Sequence, residues 1–259
     1  MRIKLVYTLF LLLSLNSYKS QEDNNLVLNP SFESIDGKLK KLNQINVAKD
    51  WYSPTSLKAD LFSSSIPGDI GTPENIYGKE FPKEGENYAG ILTYSYNNQK
   101  PRTYIQSMLI KPLASGLNYC VNIQVSLSDL SKYAIDNIGA YISEEPVTLD
   151  KKGDIIFNDK AELSAVVTNE KSKIYKSRYK WETVCGVYQA DGKEKYITIG
   201  NFFNNKDTIL KTHSTLNEFD GYKFTTSKQT KGAIYIVRDP RNVILSMSHH
   251  YSLTFQESY

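Results

Sequence analysis

Cysteine is nearly missing from this chain: Cys120 and Cys185 are the only two in 259 residues. Two thiols cannot make a disulfide-dense scaffold, so the fold must rest on a packed core. Histidine is almost as scarce, with His213, His249 and His250 the full set. His249 and His250 are adjacent on a predicted helix, where their side chains diverge, and no third ligand accompanies them, so no metal site is expected. Charge of one sign is lacking too. The net charge of +3 is too small for a nucleic-acid surface or a basic membrane patch. Beyond the first twenty residues no apolar run is long enough to span a bilayer. Helical periodicity is also largely absent. What is present is a globular composition, 40% hydrophobic and 23% charged, with 19 tyrosines that suit half-buried sheet surfaces.

The N-terminus has the layout of an export signal. Arg2 and Lys4 precede the apolar core Leu5–Leu13, and polar residues follow from Asn16. The core is short for a span, so residues 1–20 are expected to be a signal peptide cleaved between Ser17 and Gln21. The alternative is an uncleaved anchor. No cysteine follows the core, which argues against a lipoprotein anchor. The expected location is periplasmic, outer-membrane surface or extracellular. In that setting Cys120 and Cys185, both in predicted strands, can form a bridge or stay as separate thiols; spacing alone does not decide.

The clearest pattern lies at 117–143. Tyr119, Val121, Ile123, Val125 and Leu127 alternate with Asn118, Asn122, Gln124, Ser126 and Ser128. A period of two predicts a strand with one buried face. Ser128–Ser131 interrupts the run and Ile138–Ile142 resumes it. Other predicted strands are Asn25–Glu33, stopped by Asn29-Pro30, then Ala59–Phe62, Tyr88–Tyr94, Tyr104–Leu109, Trp181–Ala190 and Tyr196–Asn201. Residues 63–81 are rich in Ser, Pro and Gly and read as a long surface loop. Residues 144–180 read as a polar insertion. Short strands separated by turn residues predict an antiparallel β-sandwich over 25–205.

The ordered set NPSFE at 29–33, the Trp51 segment, ADLF at 59–62, GENYAGI at 85–91, YIQSML at 104–109, the 119–141 stretch and YITIGNF at 196–202 resembles a jelly-roll, carbohydrate-binding-like domain. That domain occurs in exported Bacteroidetes proteins, often ahead of a peptidoglycan-binding domain like that of outer membrane protein A. The resemblance implies a recognition module for a glycan or peptidoglycan and no cofactor. The usual peptidoglycan-binding domain is not found in this sequence. Asn29, Ser31 and Glu33 offer oxygen donors that suit either calcium, which some jelly rolls hold near their termini, or turn hydrogen bonds; the turn reading is favoured.

The sequence changes character near Asn204-Asn205. Gly232–Val237, GAIYIV, is continuously apolar, the pattern of a strand buried on both faces of a parallel sheet. Arg238 ends it, Asp239 suits an N-cap, Pro240 the first helical position, and 242–251 reads as helix. LKTHS at 210–214 and YIVRDPRNVILS at 235–246 are similar to two motifs of the sulfotransferases, a P-loop-like α/β fold. The resemblance implies that His213 matches the catalytic general base and Lys211 a nearby cation. Arg238 and Ser246 match the ligands of the 3′-phosphate of phosphoadenosine phosphosulfate. The chemistry is consistent: a guanidinium forks onto phosphate, a helix N-terminus supplies amides, and a histidine can take a hydroxyl proton. The resemblance covers a partial segment, 208–259. The lysine-bearing loop that the family uses for the 5′-phosphosulfate has no counterpart. The expectation is therefore an exported, non-catalytic β-sandwich with a sulfotransferase-derived tail; the alternative is a sulfotransferase that uses that donor.

Overall fold

A computed structural model describes residues 25–204, apart from 96–98, 132, 170–172 and 179, together with three short strand segments beyond 204. The leader expected at 1–20, the tail residues Lys211, His213, Arg238 and Ser246, and the helix expected at 242–251 lie outside the described residues. The strands in chain order are β1 (Trp51–Tyr52), β2 (Asp60–Ser63), β3 (Glu74–Asn75), β4 (Gly78–Lys79), β5 (Asn87–Gly90), β6 (Ile105–Met108), β7 (Asn118–Val125), β8 (Tyr133–Ala134), β9 (Gly139–Ser143), β10 (Val166–Thr168), β11 (Glu182–Gln189) and β12 (Tyr196–Gly200). The outlying segments are β13 (Ile209–Leu210), β14 (Glu218–Phe219) and β15 (Tyr222–Lys223). A five-residue helix, α1 (Lys160–Ser164), is capped by the Asp159 side chain, which accepts from the amide of Ala161. The described chain is thus mostly β, its sheets are antiparallel, and helix is almost absent.

Ile197, Thr198 and Ile199 are consecutive β-branched residues, a strong strand signal, and β12 lies in the middle of a five-stranded sheet ordered β1-β6-β12-β9-β10. Register sorts the residues by face. Trp51, Ile105, Ala140, Ile142, Val167, Ile197 and Ile199 enter the main core cluster. Gln106, Thr198, Tyr141 and Val166 occupy the opposite face. That face is covered by the segment 147–157, which brings Val147, Leu149, Ile155 and Phe157 against Tyr104, Tyr141 and Phe202. Gln106, wholly buried, ties the cover to the sheet. Its Nε2 donates to the carbonyl of Val147 (3.1 Å), and its Oε1 accepts from the amide of Val147 (2.9 Å) and the hydroxyl of Thr198 (2.5 Å).

The main core also takes Leu61 and Phe62 from the β2–β5 ladder, with Tyr119, Val121 and Ile123 of β7 and Tyr188 of β11 packed against it. These two ladders therefore cover the other face of the five-stranded sheet. The predicted alternation in β7 is present: Asn118, Cys120 and Asn122 are exposed, and Tyr119, Val121 and Ile123 face the core, half-buried rather than fully covered.

Several expectations need correction. The five-stranded sheet is organised around β12; the 119–127 stretch forms the β7–β11 ladder that covers it. Residues 144–180 are no mere polar insertion, since they supply β10 and the cover of the second face. Their apolar runs, such as Ile155–Phe157 and Ala165–Val167, are too short for a period to mark them. Residues 25–33 hold a single bridge at Val27 and then turns, because Asn29 and Phe32 adopt positive φ. The 63–81 loop contains the β3–β4 hairpin and the buried Ile70. Cys120 and Cys185 are exposed free thiols. In the β7–β11 register Cys120 faces Val187 and Cys185 faces Asn122, so the two sit diagonally on one outer face.

Candidate functional site

The hairpin β3–β4 is short and polar, and it stays in place because a neighbouring loop holds it. The carbonyl of Tyr77 accepts from the amide of Leu130 (3.1 Å) and the hydroxyl of Ser128 (2.8 Å). Asp129 Oδ2 accepts from the amide of Lys79 (2.9 Å). Gly78 makes this approach possible: its φ is +126°, and a Cβ there would strike the Asp129 side chain. The result places residues 76–81 beside 126–130, far apart in sequence.

Two kinds of surface meet there. One is aromatic and apolar: Ile76, Tyr77, Phe81 (64% exposed) and Leu130 all face solvent. Behind them Tyr77, Phe62, Tyr88 and Trp181 form a relay of ring contacts with centroids 5.2–6.0 Å apart. The Trp181 indole donates to the carbonyl of Phe81 (2.9 Å), which fixes the exposed ring's backbone. Scattered exposed apolar residues are ordinary; a contiguous group rimmed by polar ones marks an interaction surface.

The other surface is acidic. Ser126 donates its hydroxyl to Glu80 Oε2. Burial pushes the Glu80 carboxyl up; the Ser126 hydrogen bond works against that, and the charge of Asp129 adds to it. Asp129 Oδ1 is buried and has no hydrogen-bond partner among the described residues. Tyr88 receives a hydrogen bond from Asn75 Nδ2 (2.6 Å). Burial, outweighing that bond, and then the nearby Glu80 and Asp129 push the Tyr88 hydroxyl up to about 12. At the far side the Asp60 carboxyl is raised by burial, against hydrogen bonds from the Asn43 amide (2.6 Å) and the Tyr77 hydroxyl. The arrangement offers ring faces for stacking and carboxylate oxygens that accept hydroxyl protons. It offers no positioned nucleophile, and among the described residues no group of three His, Cys, Asp or Glu is placed to hold a metal.

Of the residues singled out in the sequence, Asn29 is spent on its own turn. Its Nδ2 donates to the carbonyls of Ser34 and Lys49, and its Oδ1 accepts from the amide of Ser34. Glu33 is held by the amides of Glu86 and Asn87 (3.0 Å each). His213, Lys211, Arg238 and Ser246 lie outside the described residues. Glu80, Asp129, Tyr77 and Phe81 carried no spacing that could have flagged them. The only hint was a mixed aromatic and charged composition in Tyr77–Glu86.

Among the described residues no helix is long and apolar enough to cross a membrane. Compared with protein-family models, curated proteins and solved structures, the chain matches none of them.

Proposed function

We propose that this chain is exported and that its 25–205 region is a non-catalytic jelly-roll module for a carbohydrate or cell-wall ligand, followed by a sulfotransferase-derived tail. The observation that carries the reading is the exposed Tyr77–Phe81 patch beside Glu80 and Asp129. A sugar ring lays its C–H face on Phe81 and Tyr77 and gives hydroxyl protons to the carboxylates. The carboxyl groups of Glu80 and Asp129 beside these rings favour a hydroxyl-rich ligand over an apolar one. The ordered sequence resemblance to exported carbohydrate-binding-like domains supports the same reading. The test is calorimetry of the full chain against soluble polysaccharides and peptidoglycan fragments. Phe81→Ala should weaken binding about tenfold, ~1.4 kcal/mol, with an unchanged melting temperature. A ligand bound equally well by wild type and by the Phe81→Ala, Tyr77→Ala double variant would remove the site from consideration.

The motifs at 210–214 and 235–246 favour a second reading, a sulfotransferase in which His213 is the general base, Lys211 assists, and Arg238 and Ser246 hold the 3′-phosphate of the donor. It ranks second because no residues match the loop that holds the 5′-phosphosulfate, and losing preorganised donors there costs on the order of 10²–10³ in rate each. Export also separates the chain from a cytosolic donor nucleotide. Radiolabelled sulfuryl transfer to a hydroxyl acceptor, abolished by His213→Ala, would put this reading first.

A further inference from the structure

Both thiols of the chain stand on the outer face of the β7–β11 ladder. Cys120 lies opposite Val187 and Cys185 opposite Asn122, and both cysteines are exposed and free. Strand phase settles how near they come. The amide of Cys185 donates to Asn169 Oδ1 (2.7 Å), away from β7. Asn122–Cys185 and Cys120–Val187 are therefore non-hydrogen-bonded pairs, the kind whose side chains stand closer together. Across the diagonal the two Cα atoms are about 7–8 Å apart and the Cβ atoms somewhat nearer. A disulfide needs Cβ atoms about 3.5–4.5 Å apart, so the native ladder keeps the sulfurs as neighbours that do not bond. One atom between them makes up the difference. Two thiolates in line on a single metal ion lie roughly 4–5 Å apart, twice a metal–sulfur bond of about 2.3 Å.

The surrounding residues decide which ion. Gln124 Nε2 donates to Asn122 Oδ1 (3.0 Å) and to Thr183 Oγ1 (3.1 Å), so the amides and hydroxyl beside the thiols satisfy one another. Val187, 69% exposed, adds only an apolar neighbour. Among the described residues no group of three His, Cys, Asp or Glu is placed to hold a metal, which leaves a four-coordinate zinc ion short of ligands. Calcium and magnesium want more oxygens still. Thiolates without hard partners select soft ions, and cuprous copper is content with two ligands in line. Charge agrees. A cuprous ion on two thiolates carries one net negative charge. Lys173 Nζ donates to the carbonyl of Thr183 (3.1 Å), on the strand that carries Cys185, and brings a positive charge to that side.

We propose that Cys120 and Cys185 form a two-coordinate site for a soft monovalent cation, cuprous copper, on the outer face of the β7–β11 ladder. It shares no residue with the Tyr77–Phe81 patch and does not depend on what that patch binds. On binding, two S–H bonds break, two copper–sulfur bonds form and two protons pass to solvent. The copper stays cuprous throughout.

The test is anaerobic titration of the reduced full chain with Cu(I) against a chromophoric cuprous chelator. One ion should bind per chain, with copper X-ray absorption showing two sulfur ligands, and binding should tighten as pH rises because protons are released. Cys120→Ser and, separately, Cys185→Ser should each weaken binding about a hundredfold. Their melting temperatures should not change, since both side chains are exposed. A chain that takes no Cu(I) from the chelator would overturn the proposal. So would two ions per chain, full binding by either single variant, or copper-bridged dimers in native mass spectrometry, because each shows the thiols acting separately.

Discussion

Glu194 and Glu80 show how one residue type is driven in opposite directions. Glu194 is 4% exposed, and burial alone would raise its carboxyl. Instead it accepts from the amides of Asp191 (2.7 Å), Gly192 (2.9 Å) and Lys193 (2.9 Å) and from the Tyr188 hydroxyl (2.9 Å). These bonds bring it down to about 2. The folded state then binds fewer protons than the unfolded one. Its stabilisation is present above the ordinary carboxylate value and is lost as pH falls from there toward 2. Glu194→Gln should cost about 2 kcal/mol in urea melts at pH 7, with a smaller cost at pH 3; an equal cost at both would refute the charge-based account. Glu80 is raised, so the sign reverses. Stability is fully present below the ordinary carboxylate value and declines as pH rises through the raised one. Glu80→Gln keeps an acceptor for Ser126 and removes the repulsion with Asp129. It should gain a few tenths of a kcal/mol at pH 7 and flatten the profile; a destabilised variant would contradict this.

At the level of elements, Gln106 carries the attachment of the 147–157 cover to the sheet. Gln106→Ala would leave Val147's amide and carbonyl and Thr198's hydroxyl without their partner inside the protein. The expected cost is about 2–3 kcal/mol; a loss under 0.5 kcal/mol in chemical denaturation would show that the cover holds without it. Which elements were readable follows from period. β7 alternates over its first six residues, and β12 has three β-branched residues in a row, so both stand out. The β3–β4 hairpin has two residues per strand, too few for any period to register. The cover over Gln106 holds Val147, Leu149 and the three-residue run Ile155–Phe157 around a polar Asp, Lys and Gly stretch, and runs this short signal burial only once the chain has folded back. The candidate site was unreadable for the same reason. It is made where two loops meet, held by the carbonyl of Tyr77 and the carboxylate of Asp129, and no spacing rule links positions so distant.

For the whole molecule, the proposed export makes a definite expectation about mass. The secreted protein should start between Ser17 and Gln21, and intact-mass measurement of material from outside the cytoplasm checks it; a full-length mass would replace the leader by an anchor. The described region should also melt as one unit, because a single cluster joins the five-stranded sheet to both covering ladders. A chain ended at Asn205 should therefore unfold cooperatively. A multiphasic melt would contradict the shared core.

The diagonal placement of the two thiols turns strand register into something chemistry can report. Cys120 faces Val187, two positions past Cys185. Sliding β11 by two residues along β7 would bring sulfur opposite sulfur. A slip of one residue inverts every side chain and exposes the core face, but a slip of two returns each to its own side. Such a shifted ladder is thus the misregistered form of the β7–β11 pair that keeps the core face turned inward. An oxidant that reaches it would lock it covalently, so a bridge recovered from refolded protein would be a fossil of mispaired folding rather than a feature of the native state.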